Sequence, residues 1–373
     1  MSPSSAEARQ NASKLYLLSP VRTTVGAGAW PSSLPWIEEL GQRAFVLGGE
    51  TALEAAAPIL TAISDRLDHV SIGTFHGECT KASIADVAQD AKGHNLVIGV
   101  GGGKAIDTAK AAAVAAGIPC VTIPTSAATC AAYTPLSIVH ANNGAYVESR
   151  RLSQPVALMI VDASLMVHAP RRLLAAGCID AMARAWDTFL AARVRVPTLL
   201  AELSVAVCHR YSERVLWEQG PLAVAAQRNA ALADETFART VEACILGAGL
   251  AGELGARFFG RSFSHAVGYA LGNYVDCSKV LHGEAVGLGI LVQCALDPKT
   301  KPTLQDMLAY FHQLEAPACL ADLGIHDADV SLIHKVAEET HAMLDHNAAI
   351  PFPVTVEDIR TALFAIEQQA GGE

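Results

Sequence analysis

Residues Asn95 to Lys110, NLVIGVGGGKAIDTAK, constrain the fold of this chain more than any other stretch. The apolar, β-branched run Leu96 to Val100 breaks into three consecutive glycines, Gly101, Gly102 and Gly103, and resumes as an alanine-rich helical pattern. That order predicts a strand, a tight turn and a helix N-terminus. Glycines let the backbone of the turn approach a bound group, and the unpaired N–H groups of the first helical turn carry partial positive charge, which suits a pyrophosphate. The spacing matches neither GxGxxG nor GxxxxGK[ST], so these residues alone admit both a nucleotide cradle and an ordinary strand-to-helix turn.

The neighbouring sequence repeats the alternation. RAFVLGG (Arg43 to Gly49) and HVSIGTF (His69 to Phe75) read as strands, TALEAAAPILTAISDRL and KASIADVAQDAK as helices, and PCVTIPT (Pro119 to Thr125) and Val156 to Val161 as further apolar strands. Strands that are continuously apolar and alternate with helices imply a parallel sheet covered on both faces, with ligands at the strands' carboxyl ends. Ser137 to Glu148, around Asn142-Asn143-Gly144, reads as a β-hairpin.

Beyond Pro170 strand signals give way to helical periodicity. Helices are expected over Arg171–Val194, Thr198–Glu218, Ala223–Gly252, Gly260–Gly272 and Gly283–Ala295. The expected organisation is an α/β domain over residues 1–165 and an all-α domain over 166–373.

Composition narrows the partners. With 51% hydrophobic and 17% charged residues the chain has ample core, and a net charge of −10 without a basic cluster argues against nucleic acid and anionic lipid. Small molecules are the expected partners. Nine scattered cysteines without a CxxC pair, and an N-terminus without an apolar signal region, point to reduced thiols and the cytoplasm. The uncharged stretch Ala111 to His140 is interrupted by Gly117, Pro119, Pro124 and Pro135, so no membrane span is expected.

Three polar residues in the helical half sit in apolar surroundings: Asp180 in GCIDAMARAW, His265 in FSHAVGYAL and His282 at the head of HGEAVGLGILVQ. Burying such groups costs free energy unless they are paired. They could be separate hydrogen-bonded core residues, or together the ligands of Zn²⁺ or another divalent ion. Spacing alone leaves both readings open.

GGGKAIDTAK, PTSAATCAAYTPLSIV, APRRLLAAGCIDAMA, SHAVGYAL and LHGEAVGLG resemble, in order, the landmarks of the glycerol dehydrogenase branch of the iron-containing alcohol dehydrogenase superfamily, which shares its fold with dehydroquinate synthase. The resemblance implies an N-terminal domain binding NAD or NADP, a helical domain, and a divalent metal, usually zinc in this branch, on Asp180, His265 and His282. It further implies that Gly102, Gly103, Lys104 and Asp107 contact the cofactor, with Thr125, Ser126, Thr129, Thr134, Leu136 and Ile138. The fourth ligand of the iron-dependent members falls on Arg184, so three protein ligands are expected. Relatives form dimers and octamers, which implies a homo-oligomer.

Three departures bear on substrate and cofactor. Where glycerol dehydrogenases place a polyol-binding aspartate, this chain has Cys130, which cannot accept two polyol hydrogen bonds. That segment is more like those of hydroxycarboxylate dehydrogenases, and Arg257 and Arg261, on a helical face with His265, are candidate carboxylate partners. Finally, Gly49 and Glu50 stand where NAD-preferring members carry a ribose-binding aspartate, leaving NAD and NADP both open. The expected activity is therefore a metal-dependent NAD(P)-linked oxidoreductase leaning to 2-hydroxy and 2-oxo acids. Glycerol dehydrogenase, a dehydroquinate synthase-like cyclase and a non-catalytic nucleotide-binding protein are the rivals.

Overall fold

The computed structural model describes residues 19–192, 213–227, 235–259, 263–277, 279–297, 302–326, 330–344 and 353–370. Its strands are β1 (Arg22–Val25), β2 (Arg43–Gly48), β3 (His69–Thr74), β4 (Leu96–Gly101), β5 (Cys120–Pro124), β6 (Leu136–His140), β7 (Tyr146–Arg151) and β8 (Leu158–Val161). Six form one sheet in the order β1-β8-β5-β4-β2-β3, all pairs parallel, while β6 and β7 make an antiparallel hairpin whose turn holds Gly144 at φ 84°.

Every residue of β4 and β5 is buried, as a doubly covered parallel sheet requires. Val46, Ile98 and Val100 pack on one face with Ile59 and Ile63, whereas Phe45, Leu47 and Val97 pack on the other with Ala109 and Ala112. The covering helices are α1 (Leu34–Leu40), α2 (Glu50–Ala55), α3 (Ala57–Ser64), α4 (Lys81–Asp90) and α5 (Gly103–Ala116). Helix α5 lies so close to β4 that a Cβ on Gly99 would stand 2.7 Å from the Cβ of Ala109.

Two features differ from the sequence-based expectation. The helix expected after Gly49 is two, α2 and α3, broken at Ala56 because Pro58 sits in the first turn of α3 and cannot continue a preceding helix. The sheet also gains β1, four residues too short to show a period, which pairs with β8 more than a hundred residues later in the chain.

The helical half comprises α6 (Arg171–Ala192), α7 (Glu213–Ala226), α8 (Glu235–Glu242), a π-helical turn over Ala243–Gly247, α9 (Ala248–Phe259), α10 (Phe263–Leu271), α11 (His282–Leu296), α12 (Leu304–Leu314), α13 (Val330–Met343) and α14 (Val356–Ala370). A boundary expected between Glu218 and Ala223 is absent, since α7 runs through Pro221. Burial of Leu216, Ala223 and Val224 on either side offsets the backbone bond that proline removes. Of the expected helices, Arg171–Val194, Thr198–Glu218, Ala223–Gly252 and Gly260–Gly272 fall partly outside the described residues. Helix α11 is buried from Gly283 to Cys294 and forms the axis of this half. Among the described residues no helix is long and apolar enough to cross a membrane.

Candidate active site

Asp180, His265 and His282, carried by three different helices, come together. Their ligand atoms all lie within 4.8 Å of one another. Asp180 Oδ1 is 3.4 Å from His265 Nε2 and 3.7 Å from His282 Nε2. Ligands of a tetrahedral ion with bonds of ~2.1 Å are separated by ~3.4 Å, so the spacing fits a divalent cation. The donors fit too: Asp180 is 2% exposed, yet its Oδ1 makes no hydrogen bond. Burial opposes ionisation of Asp180, but the imidazoles of His265 and His282 and the Arg184 guanidinium outweigh it and hold the carboxyl far below its usual range. Desolvation at the mouth of the site, with His265 and Arg184, lowers His282 to about 4 against the pull of Asp180, although its ring is partly exposed, so the imidazole is neutral and ready to ligate.

The surroundings hold these ligands in place. Asp187, two turns after Asp180 on α6, lies 2.9 Å from His265 Nδ1 and also accepts from the backbone N–H and hydroxyl of Ser264 and from Gln293 Nε2. The contact keeps the proton of neutral His265 on Nδ1 and turns the Nε2 lone pair toward Asp180. At the head of α11, the Glu284 carboxylate accepts from the Leu281 backbone and from both Nε and Nη2 of Arg172, tying His282 to the start of α6.

Small residues make the close approach possible. A Cβ on Gly283 would stand 2.0 Å from the Ala176 carbonyl oxygen, one on Gly289 2.4 Å from that of Ser264, and one on Gly177 1.8 Å from that of Ala127. Glycine at these points lets α6, α10, α11 and the loop after β5 meet backbone to backbone.

That loop faces the glycine turn. Gly101 has φ 131°, a conformation that disfavours other residues, and its carbonyl accepts from Thr125 N–H. Ser126 Oγ and Thr129 Oγ1 stand 3.6 and 3.1 Å from where Cβ atoms on Gly102 and Gly103 would lie, so two hydroxyls and the N-terminus of α5 converge on one spot. Lys104 is half-exposed there and pairs with Glu78. Asp107 is buried instead, its carboxylate accepting from the Ile138 N–H and pairing with Lys110 at 2.8 Å. Lys110, itself 1% exposed, donates to the carbonyls of Ala131, Thr134 and Leu136. Asp107 and Lys110 thus fasten Thr134, Leu136 and Ile138 to α5.

Residues 20–163 match the family described as iron-containing alcohol dehydrogenase. The chain is 31% identical to hydroxycarboxylate dehydrogenase A of Escherichia coli over 295 residues, 79% of this chain and 81% of that one. It belongs to the iron-containing alcohol dehydrogenase family. As a member of the glycerol dehydrogenase-like branch it is an NAD(P)-linked, metal-dependent alcohol dehydrogenase. It is also 32% identical to glycerol dehydrogenase of Pseudomonas putida, over 80% of this chain and 82% of that one. A probable glycerol dehydrogenase from Sinorhizobium meliloti has the same fold, with a TM-score of 0.82 at 28% identity over 97% of this chain and 100% of that one.

In this alcohol dehydrogenase Cys130 is buried, and burial pushes its thiol up to about 11 against the pull of Arg184, so it is a neutral wall. Arg257 lies in α9, with its side chain outside the described residues, and Arg261 lies outside them altogether. Gly49 follows β2 at φ −69°, and Glu50 is exposed at the first position of α2.

Sequence reasoning missed Asp187, Lys110 and the Arg172–Glu284 pair, and treated Arg184 only as a missing ligand. A carboxylate seven residues after Asp180 on an apolar helix was the available signal for Asp187.

Proposed function

We propose that this dehydrogenase interconverts a small 2-hydroxy acid and its 2-oxo acid, with zinc on Asp180, His265 and His282 and the cofactor pyrophosphate over Gly101, Gly102, Gly103 and Lys104. The single observation that carries the substrate reading is the wall beside the triad. There the Cys130 thiol is buried, and of the charges around it the Arg184 guanidinium acts most strongly, ahead of Asp180 and Lys110, a setting suited to an anion rather than to a polyol that needs a carboxylate acceptor. The likeness to hydroxycarboxylate dehydrogenase A supports the same reading.

Asp180, His265 and His282 would hold a metal that would supply Lewis acidity, and the glycine turn a nicotinamide cofactor that would supply the hydride chemistry. The protein's own residues prepare that chemistry. Asp180 brings the negative charge to the metal site, Asp187 sets the tautomer of His265, and the Arg172–Glu284 pair holds His282 at the head of α11. Ser126 and Thr129 offer hydroxyls to the pyrophosphate, while Thr125, Thr134, Leu136 and Ile138 line the nicotinamide side. Cys130 excludes water without adding charge. We read residues 1–165 as the cofactor lobe and 166–373 as the metal lobe.

Glycerol is the second reading, favoured by the glycerol dehydrogenases of Pseudomonas putida and Thermotoga maritima among the relatives. A screen of NADH and NADPH oxidation against 2-oxo acids, dihydroxyacetone and simple aldehydes, with zinc added, separates them. Turnover of dihydroxyacetone far above every 2-oxo acid overturns the acid reading. Full activity after exhaustive chelation, with the metal shown to be gone, overturns the metal assignment.

A further inference from the structure

One helical turn after Asp180, Arg184 brings a guanidinium into the metal site from the same face of α6. Its Nη2 donates to His265 Nε2 at 3.1 Å, the lone pair that a metal would take, and its Nε is buried with no hydrogen-bond partner. The side chain lies against bare backbone, since a Cβ on Gly252 of α9 would stand 3.1 Å from Nη1.

Among the described residues, the groups facing this cation give it no anion of its own. Cys130 and Tyr269 offer a thiol and a phenol, which are not anions at neutral pH. Asp187 is hydrogen-bonded to His265, Ser264 and Gln293, and Asp180 is offered to the metal. With a divalent ion in place, Arg184 loses the His265 acceptor, and the ion, Arg184, Asp180 and Asp187 together leave one positive charge in excess. A buried unbalanced charge is costly, and a monocarboxylate neutralises it.

We propose that Arg184 is the carboxylate receptor of this enzyme: when the metal takes His265 Nε2, the guanidinium turns to the carboxylate of a 2-oxo or 2-hydroxy acid whose reacting oxygen, one carbon away, faces the metal. The inference rests on the acid reading above and assigns to Arg184 the part first expected of Arg257 and Arg261. A guanidinium meets a carboxylate in a two-bonded fork, which an ammonium cannot reproduce.

The test uses the zinc-loaded full chain with Arg184→Gln and Arg184→Lys. Three quantities are read: bound zinc, the ratio of kcat/KM for a short 2-oxo acid to that for hydroxyacetone, and calorimetric binding of 2-hydroxy-2-methylpropanoate, which carries no carbinol hydrogen and cannot be oxidised. The expected result is zinc retained, a ratio lowered on the order of 10- to 100-fold in Arg184→Gln, a smaller loss in Arg184→Lys, and weakened binding of the hydroxy acid. A wild-type ratio preserved in a folded, zinc-loaded Arg184→Gln, or hydroxy-acid binding that is unchanged, overturns the role of Arg184 while leaving the acid reading in place. Loss of zinc in both variants makes Arg184 a support of the metal site and likewise overturns it. A wild-type enzyme that neither turns over nor binds any of these acids overturns the acid reading itself.

Discussion

Asp187 Oδ2 and His265 Nδ1 lie 2.9 Å apart, seven residues along α6 from the carboxylate that faces the other nitrogen of the same ring. One helix thus supplies both a candidate metal ligand and the group that aims a second one.

Replacing Asp187 by Ala is expected to release the His265 tautomer and weaken zinc binding about 10- to 100-fold. It also leaves Ser264 and Gln293 without a buried acceptor, costing ~1–3 kcal/mol of stability. Zinc titration against a competing chelator and thermal unfolding of the metal-free protein read the two effects separately. Unchanged zinc affinity would remove Asp187 from the site.

Gly283→Ala is expected to drive α11 away from α6, because the added methyl would sit 2.0 Å from the Ala176 carbonyl oxygen and backbone cannot rotate aside. Overpacking of this kind costs ~1–3 kcal/mol or more. Since His282 is the neighbouring residue, zinc should be lost along with thermal stability. A variant with wild-type melting and wild-type zinc content would show that the two helices can separate without disturbing the ligands.

Zinc affinity should depend on pH through His265 first. Burial and Arg184 disfavour the charged ring, but the Asp180 and Asp187 carboxylates outweigh them and raise its pKa above the ordinary 6.5. Below that raised value the metal must expel a proton, so affinity is level at higher pH and falls about tenfold per unit as pH drops through it. His282, lowered to about 4, adds a second proton only in more acidic solution. Affinity that does not change between about pH 8 and pH 5 would contradict this order.

Gly49→Asp is expected to shift cofactor preference toward NADH. Gly49 has an ordinary φ of −69° and nothing nearer to an added Cβ than the Phe75 carbonyl oxygen at 3.8 Å, so the side chain fits without strain. A carboxylate at the end of β2 can hold a ribose 2′-hydroxyl and repel a 2′-phosphate. The ratio of kcat/KM for NADH to that for NADPH measures the shift, and an unchanged ratio would place the ribose elsewhere.

Much of the fold was readable locally. Continuous apolar runs at β2, β4, β5 and β8, the glycines after β4 and the Asn-Gly turn between β6 and β7 each announce themselves within a few residues, because strand burial and turn geometry act over that range. The helix break at Ala56 and the strand β1 were not, since one depends on which turn of α3 holds Pro58 and the other on a partner more than a hundred residues away.

The sequence by itself determined the kinds of element, the chemistry of Asp180, His265 and His282, and through ordered motifs the resemblance to a dehydrogenase family. Only the tertiary structure decided that those three side chains converge, that Asp187 rather than solvent orients His265, that Asp107 and Lys110 fasten Thr134, Leu136 and Ile138 to α5, and that Arg184 stands against His265. The reason is physical. Periodicity reports which face of an element is buried, whereas a site is made where faces of different elements meet, at distances set by glycines whose bareness matters only once a partner backbone lies against them.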